Sequence, residues 1–205
     1  MSYIKNGGIS VKKFHFFSIV SRMKYINRWG LMRNSKDENL SEHSLEVAMI
    51  AHALCLIKNK KFEGQIDEKK AALIALYHDA SEILTGDLPT TVKYHDEKIY
   101  ESYKKVEYFA LKKILNMLPE YLYEEYKNIL LCEDKDLMSI VKAADKISAL
   151  IKCIEEENIG NNEFKQAKKK LLLDLKSLEM PEVEVFLSDF LPSYELSLDE
   201  QEIWE

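Results

Sequence analysis

Along most of this chain apolar residues return every three or four positions, the spacing of one face of an α-helix. Over about 13–27, Phe16, Ile19, Val20, Met23 and Ile26 recur in this way, and Gly30 just beyond predicts a stop. A polar loop follows over 30–40. Asn39 with Glu42 forms a capping pattern, Ser41 being an alternative cap, and opens a helix over roughly 41–59. Its apolar face carries Val47, Ile50, Leu54 and Ile57, and His43 falls on that face one turn earlier. Further helices are predicted over about 67–84, over 96–117, to 132, and over 136–157 with a stripe of Leu137, Val141, Ala144, Ile147 and Ile151. A charged helical pattern covers 161–190. Residues 1–12 read as a loose lead-in and 192–205 as an acidic strap or frayed end. With no internal repeat, the expectation is one all-α domain, 1–205, a helical bundle.

One segment departs from the single-stripe pattern. Ala71–Leu84 is apolar on every side of a helix except at His78, Asp79, Ser81 and Glu82. A helix of that kind is normally buried. His78 and Glu82, four apart, stack on one face with Asp79 beside them, over the small Ala71 and Ala75. Alone, a buried histidine is more often a hydrogen-bonded core residue than a ligand. An imidazole and two carboxylates buried together are costly unless paired or bound to a metal. Gly86 and Pro89 then fix a tight loop carrying Asp87, Leu88, Thr90 and Thr91. By itself Asp87 would be a turn or capping residue.

Composition narrows the class. The chain is 46% hydrophobic and 31% charged, ordinary for a globular protein, and six glycines and four prolines favour long regular elements. A net charge of -6 argues against broad binding to a nucleic-acid polymer but leaves room for a small phosphorylated ligand. Cys55, Cys132 and Cys153 have no metal or redox spacing and read as reduced thiols. The first residues lack the apolar run of a signal peptide, and no stretch approaches the ~20 apolar residues that span a bilayer. A cytoplasmic protein without membrane attachment is expected.

Chemistry emerges when three helices are considered together. They offer His43, the pair His78–Asp79, and Asp145, at the border of its own stripe with Lys142 one turn before it. Two imidazoles and two carboxylates suit a transition-type divalent ion, such as zinc, manganese, cobalt or iron(II), better than calcium.

His43…His78-Asp79…Asp145 resembles the metal signature of the HD-domain metal-dependent phosphohydrolases. The chain is further similar to the bacterial HD-domain 5′-deoxynucleotidases in Ile26-Asn-Arg28-Trp29, Leu31-Met-Arg33-Asn34, Asn39-Leu-Ser-Glu-His43-Ser44, Tyr77-His78-Asp79-Ala-Ser-Glu82, Leu84-Thr-Gly86-Asp87-Leu-Pro89-Thr90, Lys142-Ala-Ala-Asp145 and Gly160-Asn-Asn-Glu-Phe164. The resemblance implies an HD-domain fold with the metal site between central helices and His43, His78, Asp79 and Asp145 as ligands. It implies a homodimer, support by cobalt, manganese or copper, and a deoxyribonucleoside monophosphate substrate of any base. Arg28 matches a phosphate-orienting arginine, and Trp29 a residue that abuts the sugar and disfavours a 2′-hydroxyl. Glu82 and Asp87 match acidic residues needed for turnover. Substrate contacts are expected from Arg28, Trp29, His43, Asp87, Leu88, Pro89, Thr90 and Asp145.

The residue chemistry agrees with those roles. A divalent ion lowers the pKa of its water to about 7 in favourable sites, giving a nucleophile for phosphorus. Arg28 is a planar fork of donors, charged at any working pH. Glu82 is placed to accept or orient the water's proton. Asp87 either binds the 3′-hydroxyl or protonates the departing 5′-oxygen; sequence leaves both open. The alternatives are an HD enzyme acting on cyclic nucleotides, deoxynucleoside triphosphates or alarmones, a non-catalytic nucleotide sensor, and a purely structural bundle.

Overall fold

Asn39 caps the helix on which the other elements assemble. Its side chain accepts from the amides of Ser41 and Glu42 at 3.0 and 3.2 Å, while Glu42 reaches back to the Asn39 amide. The computed structural model describes residues 3–6, 9–93 and 95–201, and, within these, side chains except those of the first twelve residues, Thr90 and Thr91. Thr90, expected at the site, therefore lies outside the described side chains.

Two strands, β1 (Tyr3–Asn6) and β2 (Ile9–Lys12), pair antiparallel where a loose lead-in was expected. Asn6-Gly-Gly between β-branched runs is a hairpin sequence. The helices are α1 (Phe16–Val20), α2 (Leu40–Lys61), α3 (Glu68–Tyr77), α4 (Glu82–Thr85), α5 (Thr90–Lys93), α6 (Glu97–Leu115), α7 (Glu120–Leu130), α8 (Lys135–Asn158), α9 (Lys165–Lys176) and α10 (Pro181–Asp189).

Three expected helices are subdivided. The 13–27 segment becomes α1 followed by a 3-10 segment, Ser21–Tyr25. The residue that turns the chain after it is Trp29, at φ +60°, not Gly30. The 161–190 segment divides into a 3-10 turn, α9 and α10, with Pro181 starting α10 at a position where its missing amide costs nothing. The central 67–84 helix ends at Tyr77, with consequences taken up below. The tail forms a 3-10 turn, Leu191–Glu195, whose Leu191 and Tyr194 pack on the core, so this part is a strap and not a frayed end.

α2 lies along α3 and α8, and α10 closes the far side of α2. Leu54, Ala75, Ile140, Ile147 and Leu150 are among the residues at the centre of this core. A smaller core gathers Phe16, Ala80, Ile114, Leu115, Leu118 and Leu130. The chain crosses from the first core (Ala71, Ile74, Ala75) to the second (Ala80) through His78 and Asp79. One expectation needs adjustment: α2 has 22 residues, and a stretch of 18 within it with a mean hydropathy of 1.3 is long and apolar enough by length and composition to cross a membrane. Its buried residues and its capping box explain that composition as a core helix.

Candidate metal centre and active site

Adjacent residues of an α-helix point about 100° apart, yet the side chains of His78 and Asp79 end at one spot. The α-helical ladder stops at Tyr77, and the chain goes on as a tighter turn with His78 and Ser81 still in the right-handed helical region. From His78 onward the amides bond three residues back: His78 to Ala75, Ala80 to Tyr77, Glu82 to Asp79 and Leu84 to Ser81. Asp79 Oδ2 then lies 3.2 Å from His78 Nε2. The carbonyl of Ala75, released from its helical partner, accepts from the His78 ring Nδ1 at 2.7 Å. A carbonyl only accepts, so Nδ1 carries a proton, and Nε2 is the nitrogen whose proton a metal would replace.

His43, in the first turn of α2, reaches the same point from the opposite side. Its Nε2 is 3.1 Å from Asp145 Oδ1 on α8 and 3.6 Å from Asp79 Oδ2, and Asp145 Oδ1 is 4.0 Å from His78 Nε2. Donor atoms of His43, His78 and Asp145 all lie within 4.8 Å of one another. Both Nε2 atoms are buried without a hydrogen-bond partner, although carboxylate oxygens stand close by. Buried polar atoms are rarely left so. Two converging nitrogens and two carboxylates fit a divalent ion, and the four expected ligands are brought together.

Behind His43 stands a pair that sequence reasoning missed. Ser148 Oγ, fully buried on α8, lies 3.0 Å from His43 Nδ1 and donates to Glu46 Oε2 at 2.5 Å. A serine has one hydrogen, and here it goes to Glu46; towards His43 the hydroxyl therefore accepts. Arg28 Nη1, also 2.6 Å from Nδ1, can only donate. Nδ1 can serve only one of the two at a time: accepting from Arg28 leaves the ring proton on Nε2, whereas donating to Ser148 frees Nε2, the tautomer a metal would need. The signal available in the sequence was spacing: Ser148 follows Asp145 by three on an otherwise apolar face.

Arg28 and Trp29 are held by Glu38, on the loop before α2. Glu38 accepts from Arg28 Nη1 at 3.1 Å and from the Trp29 indole at 2.8 Å. Arg28 Nη2 is 3.8 Å from Asp145 Oδ1, so the guanidinium borders the metal ligands. Asp87 accepts from the Trp29 backbone amide and feels the Arg28 charge. Leu88 and Pro89 are half-buried on the same loop, Lys142 is exposed on α8, and no described contact joins any of them to the cluster.

The electrostatics separate the carboxylates. Burial works against Asp79 ionising, but the charge of His78, with His43 and Arg28, holds its carboxyl well below the usual range. Asp145 is likewise lowered, burial being outweighed by His43 and His78. Burial lowers the His78 imidazole, yet Asp79 and Asp145 outweigh it and raise it to about 9. Glu82 goes the other way: burial first, then Asp79 and Asp87, push it up to about 9, and its Oε2 is without a hydrogen bond. Asp87 is raised chiefly by burial, against the pull of Arg28. Asp79 and Asp145 are thus held ionised, while Glu82 and Asp87 are pushed toward protonation, a division common at acid–base sites.

Fold and site together define a helical domain built around a candidate metal centre, with the fold of solved HD-domain phosphohydrolases. A solved HD-domain phosphohydrolase from Listeria innocua superposes with a TM-score of 0.75 at 24% identity, over 88% of each chain. A cyanophage S-2L HD phosphohydrolase, solved with dA and one catalytic zinc ion, matches at TM-score 0.61 and 19% identity over 87% of this chain and 93% of that one. Within that class, the family of YfbR-like 5′-deoxynucleotidases matches residues 15–194, and the chain belongs to it. A 5′-deoxynucleotidase of Vibrio parahaemolyticus is 53% identical over 93% of this chain and 99% of its own.

Proposed function

We propose that this protein hydrolyses deoxyribonucleoside 5′-monophosphates to deoxyribonucleoside and phosphate in a metal-dependent reaction. The observation that carries the reading is the pair of buried, unpartnered imidazole nitrogens facing Asp79 and Asp145, with Arg28 alongside. The 53% identity to a deoxynucleotidase supports the substrate class.

His43, His78, Asp79 and Asp145 would hold the ion. When bound, it supplies charge for the phosphoryl oxygens and acidifies a water. Arg28 offers the guanidinium edge that faces Asp145 to the phosphate, its other edge being fixed by Glu38. Glu82 takes or orients the attacking water's proton. Asp87 is favoured as the donor to the 5′-oxygen, because burial pushes it toward the protonated form. Trp29 walls the sugar from a position fixed through Glu38 and Asp87. Leu88, Pro89 and Thr90 complete the substrate loop.

The donor set admits cobalt, manganese or copper, with zinc and iron(II) as further candidates. The proposal extends to a cytoplasmic homodimer, for which exposed Ile99, Val106 and Phe109 on α6 offer apolar surface.

The test is phosphate release from dAMP, AMP, dATP and cyclic AMP by metal-stripped protein, with single divalent ions restored. Ion-dependent release from dAMP, with little from AMP, is expected. Release that survives His78→Ala or Asp79→Ala would refute the mechanism.

A further inference from the structure

Lys152 and Glu156, one turn apart on α8, form an ion pair buried to 6% and 1% exposure, with Nζ 2.5 Å from Oε1. A pair this deep is expensive unless its remaining donors and acceptors are also satisfied. Here the outward bonds converge mainly on one backbone segment. Glu156 accepts from the amides of Ser35 at 3.0 Å and Lys36 at 3.4 Å, and from the Asn161 side chain at 2.8 Å. Lys152 donates to the Lys36 carbonyl at 2.6 Å, and Asn161 donates to the Arg33 carbonyl at 2.7 Å.

The segment so gripped is the loop between Trp29 and Glu38, whose two ends meet again at the site. Arg28 N donates to Glu38 O at 2.9 Å, and Asn34 donates to the Trp29 carbonyl at 3.3 Å. Trp29 itself sits at φ +60°, a left-handed conformation costly for a bulky residue and kept only where the surroundings impose it. Behind its ring, 5.4 Å away and edge-on, is the buried Phe164, and Lys152 Nζ lies 5.9 Å above the Phe164 ring. Asp145, Ser148, Lys152 and Glu156 fall at spacings of three, four and four along α8, a single face of one helix. The helix that carries a candidate metal ligand thus also fixes the loop that carries Trp29.

We propose that the Lys152–Glu156 pair is a latch of positioning residues that sets Trp29 and thereby the enzyme's discrimination between deoxyribose and ribose, an inference that rests on the substrate reading above. A purely stabilising pair would not need to aim its bonds at this loop. Because neither residue touches the site, releasing the latch should leave ion binding and the reacting groups in place while Trp29 loses its fixed position.

The experiment compares full-length, manganese-loaded wild type with Glu156→Gln and Lys152→Met. It measures kcat and KM for dAMP and AMP, amide exchange at Ser35 and Lys36, and Trp29 emission with the other tryptophan, Trp204, replaced by phenylalanine. Expected are faster exchange at both amides, altered Trp29 emission, kcat for dAMP within about threefold, and a dAMP/AMP ratio of kcat/KM reduced about tenfold or more. Unchanged exchange overturns the latch. Freed amides with an unchanged ratio overturn its link to selectivity. If both variants fail to fold, Asn161→Ala removes one arm from the rim and is held to the same criteria with a smaller change. Absence of wild-type release from dAMP with any ion counts against the substrate reading instead, and exchange and emission still decide the latch.

Discussion

Ser148→Ala removes a single oxygen from the structure and should cost the protein much of its metal affinity. The hydroxyl is fully buried and stands 3.0 Å from His43 Nδ1, with its own hydrogen directed to Glu46. Without it, the Nδ1–H that must exist when Nε2 binds an ion has no acceptor on the α8 side. An unsatisfied buried donor costs about 1–3 kcal/mol. At about 1.4 kcal/mol per factor of ten, that is a loss of roughly 5- to 150-fold, in line with the ~10–100-fold typical of groups supporting a metal-bound histidine. Calorimetric titration of metal-stripped protein with manganese or cobalt measures it directly, without reference to turnover. Glu46→Gln should weaken binding less, because Ser148 remains, and the double variant should match Ser148→Ala alone, since both act through one hydrogen bond. If Ser148→Ala binds manganese within twofold of wild type, the His43 tautomer is set elsewhere, with Glu38 at 3.4 Å from Nδ1 the next candidate.

Glu82→Gln should lower kcat by about 10²–10⁴ while leaving manganese affinity near wild type, because Glu82 handles a proton and holds no ion. In metal-stripped protein the same residue should make stability fall with rising pH. Its native value of about 9 exceeds the ordinary 4.5, so the folded state keeps a proton that the unfolded chain releases, and denaturation midpoints of Glu82→Gln should lack that slope. Glu156 acts in the opposite sense. Burial opposes its charge, but Lys152, Asn161 and Ser35 hold its carboxyl at about 2 against 4.5, so its contribution is complete above pH 4.5 and is lost as pH falls toward 2. The difference amounts to about 3 kcal/mol, to be read from acid unfolding of wild type against Glu156→Gln. Asp87→Asn should depress kcat for dAMP more than for a substrate with a good leaving group, such as a nitrophenyl ester, if Asp87 donates the proton; equal losses would make it a sugar ligand.

Local sequence carried the helices whose signals are local. The Asn39–Glu42 capping box sets the start of α2, and the predicted 136–157 stripe differs from α8, Lys135–Asn158, by one residue at each end. His43 was legible because it shares a helical face with Val47, and that face is buried. The end of α3 at Tyr77 was not. Nothing from Ala71 to Leu84 is a helix breaker, and the side chains gathered around the break, His43 and Asp145, come from other helices. Glu46, Ser148, Lys152 and Glu156 were missed for a related reason. Their decisive partners lie more than 100 positions away: Ser148 bonds Glu46 and His43, and Glu156 bonds Ser35. Only the periodicity of Ser148, Lys152 and Glu156 along α8 was visible, as polar residues recurring among apolar ones.

The broken helix also explains why Glu82 differs from the ligands beside it. Had the helix continued through Leu84, His78 and Glu82 would stack on one face, and the carboxylate would compete for the same point as the imidazole. Instead Glu82 begins α4, with its amide bonded to the Asp79 carbonyl and its buried side chain left facing the charges of Asp79 and Asp87. Those two negative neighbours and burial keep it protonated where His78 and Asp79 stabilise each other as an ion pair. A cation held by the expected ligands would offset Asp79 and lower the cost of ionising Glu82, so that Glu82 would be a competent base in the loaded site. The turn at His78–Ser81 therefore does two jobs at once, bringing a pair of ligands together and holding the proton-handling group apart from them.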